Sequence, residues 1–175
     1  VGFSEEYLHA PRLIGAIAPS SRFLARDMLK PVNFRTARTI VELGAGTGVI
    51  TRLLLRHMRK NAVLHAFEIH PPFVKQLRAM KNPCLHVVSA PAQELSTHVP
   101  EADAVVSSLP LMSFSDRAVS RILKEVKAAL RPDGVFVQFQ YGLKSYGLLN
   151  KHFKDVTLDF TLLNLPPAII YRCRN

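Results

Sequence analysis

At 175 residues, with 48% apolar and 21% charged side chains, the chain is sized for one folded domain with a real core, and its composition excludes general disorder. Lysine and arginine number 23 against 13 acids, a net charge of +10 that attracts polyanions, either nucleic acid or an anionic membrane surface. No apolar run approaches the roughly 20 residues needed to cross a bilayer.

In chain order, Glu5 and Glu6 argue against a transit peptide and no basic-then-apolar leader is present, although the valine at position 1 is consistent with a trimmed start. Ser4 is placed to cap a first helix, with Glu5 and Glu6 complementing its positive end. Tyr7, Leu8, Leu13, Ile14 and Ile17 make this opening strongly apolar, and Pro11 interrupts it. It reads either as a segment packed across the sheet edge or as an amphipathic element that touches lipid or covers the site. Ser20 or Ser21 caps the next helix, which carries Phe23, Leu24, Met28 and Leu29 and stops at Pro31. The same turn precedes the first strand, so its hydroxyls and Arg22 are candidates for reaching a ligand. Residues 1–37 are expected to form an N-terminal helical cap or membrane-contacting segment of a single domain spanning 1–175.

Thr39-Ile40-Val41 is a β-branched run and reads as a buried strand. It leads into Glu42-Leu43-Gly44-Ala45-Gly46-Thr47-Gly48, where glycines at alternate positions let the backbone turn sharply and approach a ligand closely. Val49, Ile50, Leu53, Leu54 and Met58 then recur at helical spacing. Strand, glycine turn and helix together present backbone N–H groups and a positive helix end to a polar ligand. On its own such a turn is a weak signal. Ala62 to Phe67 reads as a second strand with Glu68 at its carboxyl end, twenty positions after Gly48. That is close to the roughly 20-residue spacing that brings an acid onto a ribose hydroxyl in βαβ nucleotide sites. The alternative is a solvated glutamate at a strand end.

Pro71 and Pro72 open a helix through Phe73, Leu77 and Met80, which Pro83 ends. Leu85 to Val88 is strand three, and Ala104-Val105-Val106 is strand four, running into Ser107-Ser108-Leu109-Pro110-Leu111. Ser115 and Asp116 start a helix burying Val119, Ile122, Leu123, Val126 and Leu130; Arg131-Pro132-Asp133-Gly134 is a turn; Val135 to Phe139 is strand five. A weaker helix is expected over Lys144 to His152, and strands of about 156–163 and 169–172 flank Leu165-Pro166-Pro167. The expected fold is α/β and Rossmann-like: a mostly parallel seven-stranded sheet, helices on both faces, and an antiparallel C-terminal hairpin. Ligands in such sheets bind outside the carboxyl ends of the strands. Cys84 and Cys173 form no metal spacing and read as reduced thiols, and the histidines include no H-x-x-x-H pair, so no metal is expected.

The G-x-G-x-G pattern behind Glu42, with Glu68 after strand two, resembles the class I S-adenosylmethionine-dependent methyltransferases. The resemblance implies that Glu42, Gly44, Ala45, Gly46 and Gly48 form a loop beneath the methionine part of the cofactor. It also implies that Glu68 holds the ribose and Ile69 packs on the adenine. Many members place an acid after strand three for the adenine amino group; here Pro91 stands near that place, and Ala92 or Gln93 is the substitute. Ser107 and Ser21 complete the expected cofactor contacts.

Adenine-N-methylating relatives carry N-P-P-Y or N-L-P-Y after strand four, whereas this chain has Ser108-Leu109-Pro110-Leu111. More narrowly, the chain is similar to bacterial phospholipid N-methyltransferases, which convert phosphatidylethanolamine toward phosphatidylcholine. The segments that carry this are Gly15 to Arg22, Ser107 to Leu111, Gln138-Phe139-Gln140-Tyr141-Gly142 and Asn164 to Ala168. The resemblance implies a phospholipid substrate, an anionic membrane surface as partner, and a cytoplasmic, peripheral place on the inner face of the membrane, with no obligate protein partner. Tyr141 and Ser108 are the candidate catalytic residues, with Phe139, Tyr146 or Phe114 offering aromatic faces to a methylated ammonium. RNA adenine dimethylases, which the chain also resembles, provide the nucleic-acid alternative. A cofactor-binding module without turnover is the third reading.

Overall fold

The computed structural model describes residues 21–161 and 166–175. The expected first helix near Ser4, residues 1–20 of the expected cap, and Asn164 and Leu165 of the closing turn lie outside the described residues. Among the described residues seven strands form one sheet: β1 Thr39–Leu43, β2 Val63–Phe67, β3 Leu85–Val88, β4 Ala102–Ser107, β5 Leu130–Gln140, β6 Asp155–Thr161 and β7 Ala168–Arg174. Their order is β3-β2-β1-β4-β5-β7-β6, parallel from β3 through β5 and antiparallel where β7 joins β5 and β6. The expected sheet and closing hairpin are therefore both present. The chain reverses direction across the sheet between β1 and β4, which opens a crevice at their carboxyl ends.

Among the described residues six α-helices cover the two faces. Helices α1 Ser21–Leu29, α2 Val49–His57 and α3 Pro71–Arg78 lie on one side; α4 Leu95–His98, α5 Asp116–Ala129 and α6 Tyr146–His152 lie on the other. Strand alternation divides the core accordingly. Ile40, Leu64, Val106 and Val137 face α1 and α2, while Val41, Leu43, Val105 and Phe136 face α5 and α6. The Ser115 hydroxyl accepts a hydrogen bond from the Ala118 N–H, and α5 buries Val119, Ile122, Leu123 and Val126 along one stripe. Each such side chain contributes roughly 1.5–3 kcal/mol of burial. Within the expected cap, α1 is a core element: Leu24, Met28 and Leu29 are buried against the sheet, and Phe23 alone of the four apolar positions turns to solvent. Cys84 is half-buried, Cys173 is buried, and both are free thiols.

Two stretches depart from expectation. Arg131-Pro132-Asp133-Gly134 is an excursion within β5 rather than a turn before it: Ala102 pairs with Leu130 and Ala104 with Val135. Three extra residues are taken up there. Between β3 and β4 the chain makes a 3₁₀ turn, Ala92–Glu94, and the short helix α4, neither of which has a periodic apolar signature long enough to read. Among the described residues no helix is long and apolar enough to cross a membrane.

The start of β1 is held by Asp103, whose Oδ2 accepts the Arg38 and Thr39 N–H groups at 2.7 and 2.8 Å. Asp103→Ala leaves both donors without that partner, and we expect urea denaturation to show a loss of about 1–3 kcal/mol. An unchanged unfolding midpoint would show that this edge is held by other contacts.

Candidate active site

The glycine loop is built for close approach. Gly44, Gly46 and Gly48 all have positive φ, at 74°, 53° and 77°, a region that residues with a Cβ rarely enter. A Cβ on Gly46 would meet nothing within 4 Å, so this backbone borders open space. A Cβ on Gly44 would lie 3.0 Å from Leu109 Cδ2, so that glycine lets the loop after β4 pack against the loop after β1.

Glu68 ties the loops together. Its Oε2 accepts the Gly46 N–H at 2.8 Å, and its Oε1 accepts the N–H groups of Ile69 and His70, each at 2.8 Å. The carboxylate is buried. With about two acceptor positions per oxygen, one remains on Oε2. Glu68 is thus neither a solvated strand-end acid nor a freely bidentate one. Its neighbour Phe67 adds a carbonyl that accepts the Gly44 and Ala45 N–H groups at 3.0 and 3.1 Å.

Glu42 lies beneath the loop, completely buried, with Oε2 accepting the Thr51 hydroxyl at 2.6 Å and Oε1 lacking a protein partner. Burial pushes its carboxyl up to about 8, against the partial counter-effect of the Thr51 hydrogen bonds and with a smaller push from the Glu68 charge. In the free protein at neutral pH, Glu42 therefore holds its proton more often than not. A cation brought near Oε1 would favour its release.

Beside these groups a shallow cleft opens, bordered by Gly44, Glu68, Ile69, Ala92, Gln93 and Leu109. Gln93 Oε1 is buried without a protein partner, as an acceptor facing an amino group would be. Phe114 and Ile122 supply apolar wall. The open direction at Gly46, the one remaining acceptor position of Glu68 and the unpartnered oxygens of Glu42 and Gln93 fit a nucleoside carrying a cationic amino-acid arm.

The expected residues are only partly brought together. Gly44, Glu68, Ile69, Ala92 and Gln93 line the cleft; Glu42, Ala45, Gly46 and Gly48 support it from the loop. Ser107 is buried and its Oγ accepts the Leu109 N–H at 3.3 Å, a bond within the turn, and the Ser108 N–H donates to Leu43 O. Ser107 and Ser108 shape the loop and do not border the cleft. Tyr141 is exposed, edge-on to Phe139 at 5.7 Å, at the carboxyl end of β5. The side chain of Ser21 lies outside the described set.

Sequence reading assigned no role to Thr51 or to the side chains of Gln138 and Gln140. Thr51 sits one helical turn after Thr47, a position with no distinguishing signal. Both glutamines send Nε2 to the Leu109 carbonyl, each at 3.0 Å, and Gln140 Oε1 accepts the Met112 N–H at 3.4 Å. Their alternate spacing on a strand, which puts both on one face, was the available clue.

A family model described as "Methyltransferase domain" matches residues 40–134. An ornithine lipid N-methyltransferase of Singulisphaera acidiphila is 34% identical over 169 residues, covering 92% of this chain and 88% of that protein. Among solved structures, the N-methyltransferase NodS from Bradyrhizobium japonicum in complex with S-adenosyl-L-homocysteine aligns with a TM-score of 0.75 at 15% identity, covering 97% of this chain and 98% of that one. A protein titled putative rRNA-methylase, from Clostridium thermocellum, aligns at 0.60 with 15% identity, covering 78% and 86%. The shared fold spans acceptors of different chemistry.

Two outcomes test the cradle. Gly46→Val places a side chain in the open space at a strained φ, and Glu68→Ala frees three backbone donors. Calorimetry should show S-adenosylhomocysteine affinity reduced by about 100-fold, roughly 2.7 kcal/mol, in each variant; unchanged affinity would refute the assigned pocket. The second concerns Glu42. As pH rises from 4.5 to about 8, the unfolded chain gives up this proton while the folded chain keeps it, so this group's contribution to stability declines across that window. Relative to the wild type, Glu42→Gln should therefore gain melting temperature steadily over that interval. A pH-independent difference between the two proteins would contradict the assignment.

Proposed function

The chain belongs to the methyltransferase-domain family and is an S-adenosylmethionine-dependent methyltransferase; on that premise we propose that it methylates the primary amine of a membrane-lipid headgroup, at the membrane surface. The observation that carries this reading is the 34% identity to an ornithine lipid N-methyltransferase across nearly the whole of both chains. An ornithine headgroup and the ethanolamine of phosphatidylethanolamine both present a primary ammonium on a short arm. The chemical requirement on the site is the same for either.

When bound, the cofactor supplies a methyl group on a sulfonium, and displacement there needs an uncharged nitrogen aligned with the bond that breaks. Gly46 would let the arm of the cofactor lie against bare backbone, with Glu42 Oε1 available to its ammonium and the open position of Glu68 Oε2 to a ribose hydroxyl. Gln93 Oε1 would accept from the adenine amino group, in the place where many relatives use an acid. Ile69 borders the cleft as an apolar wall for the ring.

On the acceptor side, the Ser108-Leu109-Pro110-Leu111 loop is held by Gln138 and Gln140 next to the glycine loop. Tyr141, at the end of the same strand, is the residue we assign to orienting the amine. Its ring, with Phe139 edge-on, would attract a methylated ammonium by about 0.5–2 kcal/mol. Among the described residues bordering the cleft, Glu68 is the only ionisable group, and backbone donors occupy most of its capacity.

Incubation with labelled cofactor and liposomes containing either phosphatidylethanolamine or ornithine lipid should give a methylated lipid, and the two arms identify the headgroup. Methylated RNA with no lipid product would instead favour a nucleic-acid enzyme. Cofactor binding with no product from any acceptor would indicate a binding module.

A further inference from the structure

The connection between β3 and β4 supplies one wall of the cleft. Ala90, Pro91, Ala92 and Gln93 all border it, and the 3₁₀ turn Ala92–Glu94 runs directly into α4. A helix of four residues is too short to be stable by itself. The hydrogen bonds within this stretch are local: the Glu94 N–H donates to Pro91 O at 3.0 Å and the Val99 N–H to Leu95 O at 2.9 Å. Leu95 and Val99 are buried in the core, which seats the segment but does not fix its rotation, because apolar burial has no direction.

On its sheet side the segment meets rings rather than hydrogen-bond partners. His98 lies edge-on to Phe67 with centroids 5.8 Å apart, and His65 and His86 stand side by side on β2 and β3 at 5.4 Å. Glu94 approaches His98 at 3.8 Å, a contact inside the segment itself.

Toward α5 the contact is directional. Glu125 Oε2 accepts the Ser96 N–H at 3.1 Å and the Ser96 hydroxyl at 2.5 Å. Among the described residues, these two are the only hydrogen bonds from residues 89–100 to any other element. A carboxylate that takes two donors from one residue sets an orientation as well as a distance. Glu125 stands about one helical turn beyond Ile122, which itself borders the cleft, so the helix that carries the clamp also lines the site. Glu125 does not border the cleft.

We propose that Glu125 is a positioning residue for cofactor binding: by gripping Ser96 it keeps Ala92 and Gln93 in place as the wall that receives the purine. This rests on the reading of the cleft as the cofactor's, with Gln93 Oε1 accepting from the adenine amino group.

Calorimetry on the full chain compares S-adenosylhomocysteine with 5′-methylthioadenosine, which keeps the nucleoside and lacks the amino-acid arm. Glu125→Ala should weaken both by the same factor, about tenfold, whereas Glu125→Gln, which keeps an acceptor oxygen for Ser96, should stay within about threefold of the wild type. Ser96→Ala should weaken binding less than Glu125→Ala, because its N–H still donates, and should cost nothing further in the Glu125→Ala background. Each titration is run at a temperature where circular dichroism shows the variant folded, so that a general loss of stability does not enter. In hydrogen exchange without ligand, the amides from Gln93 to His98 should lose protection in Glu125→Ala while that of Gly46 keeps its own. Unchanged affinity for 5′-methylthioadenosine in Glu125→Ala, or no rescue by Glu125→Gln, overturns the proposal. Gln93→Ala separates the clamp from the pocket. A loss of 5′-methylthioadenosine affinity there, with none in Glu125→Ala, removes the clamp and keeps the pocket; no loss in either variant removes both.

Discussion

The site depends on one buried carboxylate meeting backbone donors from two loops. Glu68 takes the amides of Gly46, Ile69 and His70, all at 2.8 Å, and so fastens the turn after β1 to the turn after β2. Hydrogen bonds to a charged acceptor contribute more than neutral ones, on the order of 1.5–3 kcal/mol each. The Phe67 carbonyl reinforces the same join from the strand itself. The positive φ values of the three glycines are the local consequence, because the loop must fold back to deliver Gly46 N–H to an acid on the neighbouring strand. The open space beside Gly46 is left as a result, and that space is what a cofactor needs.

The loop after β4 is connected to this join through Leu109. Its carbonyl collects both glutamine side chains of β5, while its side chain rests against Gly44. A shift of the loop after β4 would therefore be felt at the glycine turn, and the reverse. Methyl transfer requires the two reactants to be held in line, and a shared, internally bonded wall between their loops is a direct way to do so. Neither glutamine borders the cleft, and both brace the loop after β4 through the Leu109 carbonyl.

Much of the fold and the centre of the site were legible because their signals are local. Thr39 to Gly48 is a strand, turn and helix start in ten residues, and Glu68 follows at the distance that one helix and one strand impose. The hairpin and helix α5 announce themselves by alternation and by the Ser115 cap. What could not be read depended on register or helix phase. Thr51 matters because one turn of α2 places it over Glu42. Glu68 reads as a ribose acid, but the three amides that occupy most of it converge only when both loops are folded. The Arg131–Gly134 excursion is invisible locally, since a proline-glycine turn looks the same inside a strand as before one. Ser107 and Ser108 lie in the right loop, yet the crossing of β4 sends them into the turn rather than to the cleft.

Amide hydrogen exchange tests the central join most directly. In the wild-type protein without ligand, the amides of Gly46, Ile69 and His70 should exchange slowly as a group. In Glu68→Ala those three should lose protection together while the amides within β1 and β2 keep theirs. If Gly46 exchanges at the same rate in both proteins, the carboxylate does not hold the loop, and the cradle described for the cofactor has another origin.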